Sequence, residues 1–341
     1  MSLAAAIADH DVAQLPSRRD EDWRWTDLRG LIRTLPAPSE PFEGDVGAGP
    51  FDALAETAVI VVNGRGPGLI EVAAGAKQSV ALRVIARGDG AHAAAVRIVV
   101  GDGGRLRLFE TYEGQGAYLA ETDITFELGR GAAVERIVLA ADDPASVAVS
   151  RADLAIGPGV EFGQTVLSRG ARRQRIETRV AHPGGHAAVR LDGLYLLSGQ
   201  AHADQTTVVT HDGTDGTTQQ LTKGVVRDQA RGVFQGRIVV AEGADRTDAK
   251  MGHHALILSD RAEVDAKPEL EIYADDVACA HGNTVGALDE DALFYARQRG
   301  IPEAEARALL TEAFLGEVVD RIWNEAAREV VRAWVGEGLR G

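Results

Sequence analysis

Cys279 and His281 stand two residues apart, and Cys279 is the only cysteine among 341 residues. Alternate side chains of a strand share a face, so an extended Asp275 to His281 brings Asp275, Val277, Cys279 and His281 to one side. A thiol beside an imidazole offers two chemistries. Imidazole can lower the thiol's pKa and make a nucleophile, or both can bind a soft or borderline metal such as iron or zinc. For the first, no oxyanion hole or orienting third residue is legible. For the second, two ligands cannot close a cluster that ordinarily takes four. A third reading asks no chemistry of them: a small buried thiol next to a satisfied histidine. If the pair does hold metal or a nascent cluster, the remaining ligands come from another chain or from small molecules.

Other short patterns carry less. No G-x-x-x-x-G-K-[ST] phosphate loop occurs, so any ATP hydrolysis by that machinery belongs to a partner. Gly64-Arg65-Gly66-Pro67-Gly68 follows an apolar burst but opens no helix that could receive a pyrophosphate, and it reads as a turn. His211 to Gly216 has too few oxygen ligands for a calcium loop and also reads as a turn. His253 and His254 are adjacent, so in a strand they face opposite sides and cannot hold one metal together.

The elements that must position Cys279 and His281 are mostly strands. From about Thr57 to Tyr273 the chain consists of short apolar bursts ended by Gly, Asp and Asn, such as Val96 to Val100, Ala133 to Val138 and Gly236 to Val240. No segment there keeps a helical period for three turns. Such a run excludes a doubly wound α/β sheet and leaves sandwich, barrel, propeller or solenoid. The bursts recur about every 10 residues with few aromatic hairpin pairs, which suits a solenoid of stacked coils. After His281, turns are expected at Gly282, Asn283 and Gly286, then a helix opening at Asp289 with Glu290 and Asp291 in its first turn.

Helical patterns flank this region. Ser2 to Leu15 reads as a short amphipathic helix closed by Pro16, and Pro36 to Pro50 as a Pro/Gly linker. Between them Trp23 and Trp25 sit among charged residues. They either dock on the body with their charges wet or bind a partner. At the other end, Leu293 and Ala296 suit the inner face of a helix ended by Gly300, with Pro302 opening the next. Ala306, Leu309, Leu310, Ala313 and Phe314, then Val319, Ile322, Trp323, Ala326, Val330 and Trp334, continue at helical spacing. Those stripes form a compact cap whose inner face is core, or a ridge for another protein anchored by tryptophan. The expected division is a helical segment and linker over 1–55, a β core over 56–286 and a helical domain over 287–341.

Composition bounds the function. The net charge of -15 disfavours nucleic acid and acidic lipid as partners. A single cysteine excludes an internal disulfide framework, and no signal-peptide pattern or membrane-length apolar run is legible, which implies a cytoplasmic protein.

The run from Glu269 through Ile322, ELEIYADDVACAHGNTVGALDEDALFYARQRGIPEAEARALLTEAFLGEVVDRI, resembles the signature of the SufB/SufD family of the Suf iron–sulfur cluster assembly system. The N-terminal SRRDEDWRWTDL is similar to the SufD branch of that family. This resemblance implies a parallel β-helix core with N- and C-terminal helical regions. It also implies a scaffold with no catalytic residue of its own, pairing with a SufB-like subunit through the β-helix and with a SufC-like ATPase through the C-terminal helices. Candidate docking residues there are Leu309, Leu310, Phe314 and Trp323. The family's C-x-H-G motif falls on Cys279 and His281, which become candidate ligands at a subunit interface for iron or a nascent cluster not stably held by the chain alone. Ala280 stands where many relatives have serine, and His253-His254 where many carry glutamine and asparagine. Two other readings stay open: a β-helix carbohydrate lyase or esterase, and a structural homodimer in which neither residue touches metal.

Overall fold

A computed structural model describes residues 2–340. Two wholly parallel sheets form the body. The nine-stranded sheet contains β1 (Thr57–Val62), β3 (Lys77–Arg87), β5 (Arg105–Gln115), β7 (Ala133–Ala141), β9 (Glu161–Ser168), β11 (Ala188–Leu197), β13 (Thr217–Val226), β15 (Thr247–Ile257) and β17 (Val277–Gly286). The eight-stranded sheet contains β2 (Leu69–Val72), β4 (Ala91–Val100), β6 (Leu119–Leu128), β8 (Val147–Ile156), β10 (Arg173–His182), β12 (His202–His211), β14 (Arg231–Val240) and β16 (Glu263–Ile272). Odd strands pair with odd and even with even, so the chain winds as a flattened parallel β-helix with one strand on each wall per turn.

The repeat differs from the expected spacing of about 10 residues. Strands β4, β5, β6, β7 and β8 begin fourteen residues apart, at Ala91, Arg105, Leu119, Ala133 and Val147. A strand and its corner together take that length, and two of them make one turn. The corners set the repeat. Gly75, Gly103, Gly131 and Gly159 have φ of 69°, 64°, 65° and 68°, a region L side chains avoid. Each donates its N–H to a carbonyl of the next corner, that of Asp102, Arg130, Pro158 and Gly185 in turn.

In-register pairing turns inward positions into columns that run the length of the lumen. On one wall Ile98, Phe126, Leu154, Val180, Val209, Ile238 and Leu270 succeed one another. On the other, Leu106, Val134, Phe162, Val189, Thr218 and Ala249 do so. Burying such aliphatic positions contributes roughly 1.5–3 kcal/mol per side chain before entropy is counted. The lumen also holds Arg136, bonded to both Glu110 oxygens at 2.7 and 2.8 Å and to Gln164 at 2.7 Å.

Both outer faces are covered, which is why many strands are buried on both sides. Helix α1 (Leu3–Asp9), capped by Ser2, and the short α2 (Leu28–Leu31) bury Leu3, Leu15 and Leu28 against Leu119 and Val147 of the eight-stranded sheet. The indole of Trp23 docks as the sequence suggested: the Arg175 guanidinium lies 4.5 Å from its ring centroid, while Arg175 also holds Asp204 and the carbonyl of Asp22. Helices α3 (Glu290–Gln298), α4 (Glu303–Val319) and α5 (Glu325–Arg340) follow the last turn. They do not cap the solenoid's end. Leu315, Val318, Ile322, Val331 and Trp334 lie on Phe109, Ile137, Leu167, Leu194 and Leu221, the outward face of the nine-stranded sheet. The expected continuous stripe is broken at Asp320 to Asn324, so Ala327 rather than Ala326 faces inward.

Burial holds four histidines far below their ordinary range: His92, His202 and His253 at about 4, and His211, stacked on His182, at about 3. A group neutral in the fold gains its proton more easily when unfolded, so each site's contribution is whole above about pH 6.5 and lost as pH falls from there. At pH 5 one such site costs about 2 kcal/mol. Glu121, raised to about 7 by burial, shifts in the opposite sense. Urea melts of His211→Asn at pH 7 and pH 5 should lose about 2 kcal/mol less than the wild type between those values. Equal losses would show that His211 is not buried neutral.

Candidate functional site

The columns decide where the Cys279 and His281 side chains go. Ala249 pairs with Cys279 and Met251 with His281, and both Ala249 and Met251 are buried in the lumen. Cys279 and His281 therefore end two lumen columns and share one face of the strand, as their spacing implied. Cys279 is half-buried against the luminal cluster with Leu270 and Val277, whereas His281 is exposed. Asp275 and Asp276 precede the strand in a bend, and the Asp276 carbonyl accepts the N–H of Arg246 at 2.6 Å. Contrary to the expected turn, Gly282, Asn283 and Gly286 continue the strand, because pairing with β15 holds them extended as far as Gly286. The helix then opens as anticipated, with the Asp289 side chain accepting from the N–H groups of Asp291 and Ala292.

This last turn is open. Strand β17 pairs with β15 alone and β16 with β14 alone, so each presents an unpaired edge. The two edges differ. Strand β16 carries Pro268 and a row of charges drawn back onto its neighbours: Asp265 to Arg231, Glu269 to Arg237 and Lys267 to Glu21. Proline and charge are the usual devices that blunt an edge. Strand β17 has neither, reading VACAHGNTVG. Apolar side chains also collect here, with Ile272, Tyr273 and Val285 all more than 40% exposed. The β17 edge is thus uncharged and unblunted, beside exposed aliphatic and aromatic groups.

The thiol is not an activated nucleophile. Burial and the nearby Asp248 push its pKa up, opposed by the Ala249 backbone. That direction is opposite to the one that would make the thiol a nucleophile. Among the described residues no group of three or more His, Cys, Asp or Glu side chains converges on one metal position. Cys279 and His281 stand there as one thiol and one imidazole on the same face of β17.

The candidate docking residues separate. Leu309 is 47% exposed and Trp323 51% exposed, but Leu310 and Phe314 are half-buried. Phe314 lies under Lys223, whose Nζ is 4.4 Å from the ring centroid and which also pairs with Glu317. The Arg190 guanidinium lies 4.7 Å from the Trp323 ring centroid, and Glu135 accepts the Trp323 and Asn324 N–H groups. Phe314 and Trp323 thus partly anchor the helices to the sheet. Phe294 and Tyr295, about 60% exposed on α3, escaped the sequence reading. The signal was present: of three consecutive apolar residues on a helix, Leu293, Phe294 and Tyr295, only one can face the body.

The chain is thus a parallel β-helix whose open final turn displays a thiol and an imidazole on one face of its last strand. The model of the SufBD core domain of SUF-system FeS cluster assembly matches residues 83–314, and the chain belongs to that family. It is 34% identical over 218 residues to the iron–sulfur cluster assembly protein SufD of Escherichia coli, covering 64% of this chain and 51% of that one. A SufBD family protein of Synechocystis is 32% identical over 195 residues, 57% of this chain and 43% of that one. The chain spans about half the length of these relatives. A SufBD family protein of Mycobacterium tuberculosis, 26% identical, aligns over 98% of this chain and 92% of its own. The assignment of the C-terminal run to this family, and to SufD within it, is thereby upheld. Among the described residues no helix is long and apolar enough to cross a membrane.

Iodoacetamide should alkylate Cys279 in the native chain without denaturant, at a rate still climbing at pH 9. A plateau below pH 8 would reveal an activated thiolate, and resistance to alkylation a sealed one.

Proposed function

We propose that this chain is a non-catalytic scaffold subunit of Suf-type iron–sulfur cluster assembly, whose last β-helix turn meets a SufB-like subunit. The observation that carries this is the pairing of two features on one strand. Strand β17 offers an unblunted edge for strand addition, and its luminal face carries Cys279 and His281. The cluster is cargo here. The thiolate would bind iron once its proton is displaced, the neutral imidazole would supply a second ligand, and the partner would complete the set.

The C-terminal helices would dock a SufC-like ATPase through Leu309, Phe294 and the exposed edge of Trp323. Cations and backbone bonds tie this layer to the nine-stranded sheet, so motion of the ATPase would reach the strands that carry the site. Arg321, which follows α4, supports this: it pairs at 3.0 Å with buried Asp192 of β11. The same open edge also fits a second copy of this chain, giving a homodimer with a two-fold axis.

His281→Ala should lower cluster loading at least about tenfold in the co-purified complex and leave the melting temperature of the free chain within about 2 °C, because an exposed imidazole contributes little to packing. Wild-type loading by that variant would remove the site assignment. Co-purification from cells should recover a larger SufB-like chain and a phosphate-loop ATPase, and Leu309→Asp should release the ATPase selectively. Recovery of homodimer alone would favour the second reading.

A further inference from the structure

Asn283 is the third luminal position of β17 after Cys279 and His281, on the same face. Its side-chain oxygen lies 2.7 Å from Nδ1 of His253, the residue it pairs with on β15. His253 is fully buried, stacks on Phe234 at 4.6 Å with the rings 4° from parallel, and places Nε2 2.9 Å from the Tyr195 hydroxyl. Tyr195 is itself fully buried, and its ring occupies space that any side chain at Gly224 or Gly232 would fill: a Cβ there would come within 1.9 and 2.5 Å of it. Three residues thus form a line from the interior to the open turn.

The line has one consistent direction. Burial keeps His253 neutral, so one ring nitrogen donates and the other accepts. The amide oxygen of Asn283 can only accept, hence Nδ1 carries the proton and Nε2 takes the hydrogen of the Tyr195 hydroxyl. With its oxygen engaged, Asn283 has its amide NH2 left for whatever occupies the open turn, since among the described residues no protein group accepts from it.

We propose that Asn283 is a hydrogen-bond donor to sulfur, thiolate or sulfide, held at the open turn, with His253 and Tyr195 as positioning residues that fix its amide. This rests on the reading of Cys279 and His281 as ligands. Donors to the sulfurs of an iron–sulfur centre stabilise its more reduced state and raise its potential. A buried, directional support explains how an exposed asparagine can hold one orientation.

Two measurements test it. In the free chain, long-range 1H–15N correlation of labelled histidine should show His253 protonated at Nδ1. Asn283→Ala should move that proton to Nε2, whereas Tyr195→Phe, which leaves the Asn283 oxygen in place, should keep it on Nδ1. A wild-type proton on Nε2, or a tautomer indifferent to Asn283→Ala, overturns the relay. In the co-purified complex loaded anaerobically with Fe2+ and sulfide, the centre that Asn283→Ala holds should have its reduction midpoint shifted negative of the wild type's. An unchanged midpoint overturns the donor role while leaving the ligand reading intact. Loading that is indifferent to Cys279→Ala and His281→Ala defeats the ligand reading, and sulfur as the acceptor with it.

Discussion

Register is the constraint from which the rest of the molecule follows. In a parallel β-helix each strand copies the alignment of the one a turn earlier, and a slip of one residue would turn every luminal side chain outward. The glycine corners at 75, 103, 131 and 159 hold that alignment by bonding to one another. Cys279 and His281 reach the lumen's end because Ala249 and Met251 point inward beneath them, and those in turn because Thr218 and Gln220 do. The chemistry of the last turn is therefore set by geometry begun more than two hundred residues earlier.

The polar interior is consistent with that demand. Arg136 with Glu110, and Arg175 with Asp204, are ion pairs almost wholly removed from water. Such pairs add little net stability against an apolar replacement, but they penalise any register that separates them. Arg175 further links the eight-stranded sheet to the N-terminal segment through Trp23 and the Asp22 carbonyl. Across the body, Arg190 and Lys223 do the same for the C-terminal helices through Trp323 and Phe314. Cations over aromatic rings fasten both outer layers to the solenoid.

Much of this was legible from residue order. Strand-length bursts without intervening helices left the solenoid among sandwich, barrel and propeller, the family resemblance singled it out, and the alternation of β-strand side chains placed Cys279 with His281. The turn length was not legible from the bursts, because strands covered on both faces show apolar residues in runs rather than in alternation, as in β3 and β7. The corner glycines twenty-eight residues apart carried that period instead. Gly282, Asn283 and Gly286 looked like turn residues, and local preference would make them so; pairing with β15 overrides it. The contact of His253 with Asn283 leaves no sequence signal, since it depends on corner lengths accumulated over a whole turn.

The unequal edges of the final turn have one more consequence. A visiting strand can continue the wall that ends in β17, but Pro268 has no N–H to give and its neighbours' charges are already committed, so the opposite wall cannot be extended in the same way. On the proposed reading, a junction zipped on one side only would leave a gap on the side of β16, whose Leu270 packs in the same luminal cluster as Cys279. Small reagents such as ferrous iron or sulfide could reach the joint through that gap after the two proteins have closed, with no need for them to part.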